Sequence, residues 1–418
     1  MTMRTLLKNP SQIVTVSTNG KNFKRGNELR DISILENHSL IFEKDRIIDF
    51  IPYGSISNES EYKIIDVKDK VLLPGLVECH THTAFAGSRA KEFRSKLAGT
   101  SYEEIAKLGG GINTTVSAVR NASFDELVRL IIPRINYFIS QGITSLEIKS
   151  GYGLDFGNEI KLLRVIHHLQ KIFPITIIPT FLGAHAIPIE MKNNREAYLE
   201  EITHKMLPFI AENSLAKFCD GFCELTAFST AEIDVIFSKA KSLGFDLKLH
   251  TDQFNAFGGI EVALNYDAVS VDHLEVIKEN DIAQVADSDA AAVLLPGVSF
   301  FLNDGYAPAR KLIDAGAIVA LSTDYNPGSS NIANLNLIMS LAVLKMKMTI
   351  EETISAVTIN AAKALKINED VGSIEIGKKA DFSVFNTNDY TDIVYNVGKN
   401  LNELTIKNGG VIYKNKNE

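Results

Sequence analysis

The chain has 418 residues, a formal net charge of -8 at pH 7 and 45% hydrophobic residues. A chain of this length can form one large domain with a smaller one, and its acidic balance argues against a nucleic-acid partner. Its three cysteines, Cys79, Cys219 and Cys223, are too few for a disulfide framework. No stretch has the length and apolarity of a membrane span or an export signal. We therefore expect a soluble cytoplasmic protein.

Both ends of the chain contain short β-rich runs separated by turn residues, a pattern typical of antiparallel strands. In the first part they are Gln12–Ser17, Ser39–Phe42, Arg46–Ile51 and Tyr62–Val67. Near the C-terminus they are Phe382–Phe385, Leu404–Lys407 and Gly410–Tyr413. We predict that residues 1–70 and 371–418 form one composite β-sandwich domain.

Residues 71–370 alternate short apolar strands with amphipathic helices, which indicates an α/β domain with a parallel sheet. The candidate strands are Val71–Cys79, Thr144–Lys149, Ile175–Leu182, Ala216–Cys223, Asp246–His250, Ala268–Val271, Ala290–Leu295 and Ala317–Ser322. Helical patterns cover Phe124–Gln141, Glu159–Lys171, Arg195–Glu212, Thr230–Leu243 and Asn331–Lys347. Eight strands predict a (β/α)₈ TIM barrel, and a doubly wound open sheet is the alternative.

Ionisable residues follow most of these predicted strands. They are His80 and His82 after the first strand, His185 after the third, Glu224 after the fourth, His250 after the fifth, His273 after the sixth and Asp324 after the eighth. The C-terminal ends of barrel strands share one face, where active sites lie. A strand places residues i and i+2 on the same side, so the histidines of a His-x-His pair can reach the same ion.

The natural first candidates for metal ligands are His80, His82, His250 and Asp324. Three imidazoles and a carboxylate suit zinc or iron and leave room for a water, whose pKa the ion lowers. This predicts hydrolysis. His273 is a candidate for polarising a substrate carbonyl, and Asp324 for moving a proton. The structural alternative is that each histidine is a buried residue with ordinary hydrogen bonds.

These strand-end residues, together with a Pro-Gly-x-x-x-x-His-x-His strand, resemble the amidohydrolase superfamily. Within it, longer stretches are similar to the imidazolonepropionase family, namely 82–89, 149–154, 180–185 and 322–329. The resemblance implies hydrolysis of 4-imidazolone-5-propanoate to N-formimidoyl-L-glutamate, the third step of histidine degradation. It also implies one metal ion per chain, Zn²⁺ or Fe³⁺/Fe²⁺, held by the four candidate ligands, and a homodimer.

The resemblance further implies the residues that contact substrate. They are Arg89, Tyr152, His185, Gln253, Asn326, Gly328 and Ser329. Arg89 offers a planar fork for the propionate carboxylate, and Tyr152 and His185 offer donors to the ring. We interpret the glycines at 109–111 as a mobile loop near the mouth, a lid that includes Tyr102.

Two positions depart from the family patterns. Some members have a glutamate where this chain has Gln253, and an amide cannot take a proton, so the base would be Asp324 or His273. The fourth strand ends in Glu224 where many superfamily members have a metal-bridging lysine. A single metal is therefore favoured, and Glu224 leaves a second one open. The alternative functions are a cyclic amidine or purine deaminase and a catalytically inactive scaffold.

Overall fold

The computed structural model describes residues 4–56, 58–98 and 110–415. Its centre is a parallel sheet of eight strands that lie side by side in chain order. They are Leu76–Glu78, Ile143–Lys149, Thr176–Ala184, Phe218–Cys223, Asp246–Thr251, Ser270–His273, Ala291–Leu294 and Ile318–Leu321. We call them the first to eighth barrel strands, and all eight coincide with strands that the sequence predicts.

The sheet curls until its first and last strands meet just beyond their C-terminal ends. There the amide of Asp324 donates to the carbonyl of His80 at 3.1 Å, and the amide of His82 donates to the carbonyl of Tyr325 at 3.0 Å. A doubly wound sheet would reverse its strand order, whereas this order is strictly sequential. The predicted (β/α)₈ barrel is confirmed, and residues from its first and eighth strands are brought together.

Helices cover the outside of the sheet. They are Phe124–Ser140, Phe156–Ile172, Arg195–Glu200 and Leu207–Glu212 joined by the π-helical turn Glu201–Met206, Thr230–Ser242, Gly259–Asn265, Glu279–Asp287, Ala309–Ala315, Leu335–Met346, Ile350–Ala356 and Ile359–Lys363. Several of these helices begin at a side-chain cap, and Ser229 and Glu232 form a reciprocal capping box at one of them. Further helices are Ala90–Leu97, Ile112–Asn121, Pro296–Leu302 and Thr391–Tyr395, with 3₁₀ turns at Gly26–Arg30, Glu59–Glu61 and Ile189–Met191.

Two further sheets are built from the chain ends. One contains, in spatial order, Arg46–Pro52, His38–Glu43, Arg4–Lys8 and Tyr62–Asp66. The other contains Gly410–Lys414, Asn402–Lys407, Phe382–Phe385, Val71–Pro74, Gln12–Val14 and Ile34–Leu35. The expectation of antiparallel strands is wrong for one pair in each sheet, because Arg4–Lys8 and Tyr62–Asp66 run parallel, as do Gln12–Val14 and Val71–Pro74.

The two terminal sheets share one apolar core, as a β-sandwich does. Leu7, Leu40 and Phe42 of the first sheet pack in the same buried cluster as Phe382 and Ile406 of the second. Burying apolar side chains from both ends of the chain stabilises the association of those ends. The composite β-sandwich is thus present, and the domain boundaries at residues 70 and 371 stay a prediction.

The stretch predicted as one strand, Val71–Cys79, is divided between two sheets at Gly75. Val71–Pro74 pairs with Phe382–Phe385 in the sandwich, and Leu76–Glu78 pairs with the second barrel strand. A side chain at Gly75 would meet Thr144 Oγ1 at 2.3 Å, so only glycine lets the chain pass here. This crossing fixes the sandwich to the start of the barrel.

The barrel interior is apolar on its seventh and eighth strands, where Ala291, Val293, Ile318 and Ala320 are fully buried. On the second, fourth, fifth and sixth strands the buried residues include Glu147, Lys149, Asp220, Lys248 and Asp272. Among the described residues, no helix has the length and apolarity needed to cross a bilayer.

Candidate active site

Four side chains from three barrel strands converge at the C-terminal end of the barrel. The Nε2 atoms of His82 and His250 lie 3.3 Å apart, and Asp324 Oδ1 lies 3.2 Å from His82 Nε2 and 3.4 Å from His80 Nε2. All four residues are buried. The structure therefore brings together the four ligands that the sequence predicts.

Two buried carboxylates orient two of these imidazoles. His80 Nδ1 lies 2.5 Å from Asp272 Oδ2, and His250 Nδ1 lies 3.1 Å from Asp220 Oδ1. Because a carboxylate accepts a hydrogen bond, each Nδ1 carries the proton and each Nε2 presents its lone pair to the common point. Burial raises the pKa of Asp272, and the nearby ammonium groups of Lys248 and Lys149 oppose that shift.

The protonation states match those that metal ligands require. Burial lowers the pKa of His80 and His82 well below its ordinary value, and burial lowers that of His250 to about 3. The three rings are therefore neutral at neutral pH, with Nε2 free to bind a cation.

Three atoms of the cluster lack a hydrogen-bond partner in the described part of the chain, His82 Nδ1 and the facing pair His80 Nε2 and Asp324 Oδ1, which lie 3.4 Å apart. All three atoms are buried. Unpaired buried polar atoms cost free energy, and a cation between the two atoms of the facing pair would remove that cost for both. Three neutral imidazoles and a carboxylate are the donor set that zinc and iron accept. The residues present thus fit a metal ion.

Asn326 holds the carboxylate of Asp324. Its Nδ2 donates to Asp324 Oδ2 at 2.9 Å, which leaves Oδ1 turned toward the histidines. Its Oδ1 accepts from the amides of Gly328 at 2.7 Å and Ser329 at 2.8 Å. Asn326 therefore orders both the proposed ligand and the loop that follows it.

A cavity of about 430 Å³ opens above the four-residue cluster. Its lining includes every substrate-contact residue that the sequence predicts within the described ranges, namely Arg89, Tyr152, His185, Gln253, Asn326, Gly328 and Ser329, together with His273. Tyr102 lies outside the described residues. A larger, more open depression of about 760 Å³ between the chain ends is lined by none of these residues. The chemistry therefore points to the smaller cavity.

Arg89 lies at the edge of this cavity, directly over Gly328. A Cβ atom on Gly328 would come within 2.0 Å of Arg89 Nη1, so the guanidinium position depends on glycine there. Arg89 Nε donates to Glu92 Oε2 at 2.8 Å, and Glu92 Oε1 accepts from Thr114 Oγ1 at 2.7 Å. Glu92 and Thr114 therefore fix the guanidinium against the strand-eight loop.

His185 and Tyr152 lie side by side next to His82. Their ring centroids are 5.2 Å apart, and the His185 ring stacks on His82 at 5.0 Å. His185 Nδ1 lies 2.9 Å from the carbonyl of Gly151, which can only accept, and burial lowers the pKa of His185 to about 3. Nε2 is then an acceptor, so the geometry does not support the expected donor role of His185, and the donor role of Tyr152 stays a prediction.

Glu224 has a different role from metal ligation in this structure. Its Oε2 accepts from the amides of Phe254 at 3.0 Å and Asn255 at 3.1 Å, and its Oε1 accepts from Asn255 Nδ2 at 2.7 Å. Within the described ranges, the metal-capable cluster is His80, His82 and His250, and neither Glu224 nor Asp324 belongs to it. Glu224 therefore anchors the loop that carries Gln253.

His273 lies on the opposite wall, with its ring centroid 5.4 Å from that of His250. Its backbone has a φ of 87°, which a non-glycine residue rarely adopts and which is typical of functional positions. Burial alone would lower its pKa, but the nearby carboxylate of Glu275 raises it. His273 is therefore the imidazole of this site that is most readily protonated.

Sequence inspection missed the residues that support this site. Asp220 and Asp272 lie inside strands, and Glu92 lies in a helix that the sequence analysis did not identify. Asp220 and Lys248 gave a usable signal, since each is a charged residue within an otherwise largely apolar strand. Charges are rarely buried unless paired, so such residues indicate a polar interior.

The fold and this site define an amidohydrolase, and the model of the amidohydrolase family matches residues 71–412. The imidazolonepropionase of Alkaliphilus oremlandii is 44% identical over 416 residues, covering 98% of this chain and 98% of that protein. The imidazolonepropionase of Fusobacterium nucleatum is 42% identical over 415 residues with the same coverage of 98% on both sides. The chain belongs to the imidazolonepropionase family.

Solved structures share the fold at much lower identity. A triazine hydrolase variant matches with a TM-score of 0.73 and 15% identity, over 99% of this chain and 95% of that chain. An adenosine deaminase from Xanthomonas campestris with bound zinc matches with a TM-score of 0.70 and 16% identity, over 97% and 92%. At these identities the likeness describes the fold alone.

Proposed function

We propose that this protein hydrolyses 4-imidazolone-5-propanoate to N-formimidoyl-L-glutamate, as an imidazolonepropionase of histidine degradation. The single observation that carries the proposal is that Arg89 and the four-residue cluster of His80, His82, His250 and Asp324 lie at one cavity. A substrate with a carboxylate at one end and a hydrolysable ring at the other matches that arrangement. Membership of the family supports the same reaction.

His80, His82, His250 and Asp324 would hold one metal ion, Zn²⁺ or Fe³⁺/Fe²⁺. When bound, such an ion polarises a carbonyl and lowers the pKa of a water molecule. The orphaned His80 Nε2 and Asp324 Oδ1 atoms support this ligand set. The adenosine deaminase with bound zinc shares the fold and is compatible with zinc in this chain.

The side chains around the cavity have complementary tasks in substrate binding. Arg89 binds the propionate carboxylate through its Nη atoms, because Glu92 already occupies Nε. His185 Nε2 accepts from a ring N–H, and the Tyr152 hydroxyl donates to a ring acceptor. Gln253 orients the ring and cannot take a proton. These contacts place the ring over the cluster.

In the reaction, a water oxygen adds to the ring carbonyl carbon and the bond from that carbon to the ring nitrogen breaks. One proton of the water moves to the leaving nitrogen, and the carboxylic acid that forms releases the other at neutral pH, so a carboxylate and a formimidoyl group result. We assign removal of the water proton to Asp324 and stabilisation of the oxyanion, while the carbonyl carbon is tetrahedral, to His273. Pre-oriented hydrogen-bond donors of this kind are commonly worth about 3–4 kcal/mol of barrier.

The decisive experiment combines elemental analysis with a substrate panel. We expect about one zinc or iron per chain and consumption of imidazolonepropionate, with no turnover of guanine or cytosine. Activity on the bases alone would replace the proposal with a deaminase. Metal well below one per chain, together with no hydrolysis, would favour a catalytically inactive scaffold.

We also infer a homodimer in the cytoplasm. Both follow from the family resemblance, and the scattered reduced cysteines are compatible with the second. Light scattering after size exclusion would give twice the mass of 46.0 kDa if the dimer is correct. A monomer at micromolar concentration would contradict it.

A further inference from the structure

Beneath the four-residue cluster lies a second group of charged side chains, buried in the barrel interior. It consists of Glu147, Lys149, Asp220, Lys248 and Asp272, and we call it the charged layer. All five side chains are fully buried. We propose that Lys149 and Lys248 are positioning residues that set the affinity for the metal ion by holding the carboxylates and the backbone behind His80 and His250. This inference rests on the proposed metal ligands.

Lys149 connects the charged layer to His250. Its Nζ lies 2.7 Å from Asp220 Oδ2 and 2.8 Å from Glu147 Oε2. The other oxygen of Asp220 lies 3.1 Å from His250 Nδ1. One carboxylate is therefore held between a lysine on one side and a proposed metal ligand on the other, so its rotation would move the imidazole.

Lys248 connects the same layer to His80 in two ways. Its Nζ donates to the carbonyl of Cys79 at 2.8 Å, which fixes the backbone immediately before His80. It also lies 3.8 Å from Asp272 Oδ2, the atom that is 2.5 Å from His80 Nδ1. The position of His80 is thus restrained through its main chain and through its ring.

Glu147 joins the two lysines. Its Oε1 lies 3.1 Å from Lys248 Nζ and accepts from Thr180 Oγ1 at 2.6 Å, while Oε2 faces Lys149. A continuous series of contacts therefore runs from His80 to His250 through the five residues of the charged layer. A displacement at one lysine would affect ligands on both the first and the fifth barrel strands.

Stability alone does not account for the charged layer. A buried ion-pair network is often no more stable than apolar side chains of the same volume, because each charge loses its hydration. Apolar side chains do fill the interior at Ala291, Val293, Ile318 and Ala320. The charges lie behind His80 and His250, where orientation of a ligand is needed. Such supporting partners typically change metal affinity about 10–100-fold.

The test compares the zinc affinity of the full-length protein and of Lys149→Met and Lys248→Met, measured by competition with a fluorescent chelator. Each variant should bind zinc at least about tenfold more weakly. With cobalt as the probe, its visible absorption should also change, because the imidazole geometry changes. The matched control is Lys407→Met, which removes a buried lysine 2.6 Å from Asp381 in the sandwich. It should leave zinc affinity unchanged.

Losing one member of a buried pair leaves an uncompensated charge, so a lysine variant can fail to fold. Asp272→Asn keeps the shape and removes the charge, and its zinc affinity should fall about 10–100-fold. The double variant Lys248→Met/Asp272→Asn should lose little more zinc affinity than Asp272→Asn alone, because both residues act on His80.

Folded variants whose zinc affinity stays within threefold of the original protein would overturn the inference. An equal loss of affinity in Lys407→Met would also overturn it, since the effect would then be general destabilisation. If Lys149→Met and Lys248→Met do not fold, an unchanged zinc affinity in Asp272→Asn would overturn the inference instead. Failure of the proposed metal site is distinguishable, because then the original protein itself would bind no zinc. Failure of the proposed reaction would appear in the substrate panel and would leave the comparison of zinc affinities intact.

Discussion

Arg89 Nε donates to Glu92 Oε2 at 2.8 Å, one helical turn away on the helix Ala90–Leu97. This bond leaves both Nη atoms of the guanidinium available to the cavity. Burial opposes the charge on Glu92, but hydrogen bonds from Thr114 and Arg89 outweigh it and lower the pKa of the carboxyl. Glu92 is therefore a carboxylate at neutral pH, and it restrains the cation that we assign to substrate recognition.

Removing this restraint should weaken substrate binding. In Glu92→Ala the guanidinium loses a charge-assisted hydrogen bond, a kind of interaction worth about 1.5–3 kcal/mol. We expect KM to rise roughly 10–150-fold for a comparable loss of binding energy, with kcat changed much less. Steady-state kinetics with imidazolonepropionate measure both constants.

Asp314→Asn provides the control for the Glu92 variant, because Asp314 also pairs with an arginine within one helical turn, is exposed and does not line the cavity. It should leave both constants unchanged. A KM for Glu92→Ala equal to that of the original protein would mean that Arg89 keeps its position without this carboxylate.

The contact between Gly328 and Arg89 allows a second, independent test of the role of this arginine. A Cβ there would lie 2.0 Å from Arg89 Nη1, so Gly328→Ala should displace the guanidinium and raise KM at least about tenfold. Gly305→Ala is the matched control, because a Cβ at Gly305 meets nothing within 4 Å. Equal KM values in the two variants would contradict the placement of Arg89 at the carboxylate.

The fold could be predicted where hydrophobic residues recur with a short period and where the ends of the strands and helices are clear from the sequence. All eight barrel strands were found from apolar runs between helical patterns, and the proposed ligands were found because they follow those runs. The single strand predicted at Val71–Cys79 was wrong, since periodicity does not show that Pro74 and Gly75 end one sheet and begin another. Parallel pairing of Arg4–Lys8 with Tyr62–Asp66 depends on contacts across many residues.

The supporting residues of the site were less accessible to sequence reasoning. Asp272 was visible only as the neighbour of His273, and its contact with His80 joins positions 192 residues apart. The tautomer of His185 depends on the carbonyl of Gly151, a main-chain group that every residue possesses. Such contacts arise when the barrel closes, so they need coordinates. Charged residues inside apolar strands were the available clue.

Glu375 contacts a segment near the N-terminus, and the ionisation of its carboxyl group should determine how acid affects this junction between the two ends of the chain. It accepts from Ser17 Oγ at 3.0 Å and from Ser373 Oγ at 2.5 Å. Burial alone would raise its pKa, but these hydrogen bonds outweigh burial and lower it below 4.5. Because the pKa of Glu375 is lower in the folded protein than in the unfolded chain, its carboxylate stabilises the junction fully at pH values above the unfolded-state pKa. This stabilisation is lost as the pH falls through the folded-state pKa.

Hydrogen exchange at the amides of Thr18 and Ile374 measures this junction directly, since both lie in it. At pH 7, Glu375→Gln should lower the free energy of local opening of this junction by about 1–3 kcal/mol. The difference between the two proteins should shrink as the pH is lowered below about 4.5, because the original carboxylate is then protonated. Glu369→Gln, at an exposed glutamate, should show no difference at any pH. A Glu375→Gln effect independent of pH would contradict the role of the charge.

Variants of His273 and Asp324 separate metal binding from proton and oxyanion chemistry. His273 lies on the cavity wall and is not one of the four proposed ligands, so His273→Ala should keep about one metal per chain and lose about 100–1000-fold in kcat. Asp324→Ala removes a ligand and the proposed base, so it should lose both metal and turnover. Elemental analysis beside single-turnover kinetics distinguishes the two variants. Loss of metal in His273→Ala would make this histidine a ligand, and full activity in either variant would remove that residue from the mechanism.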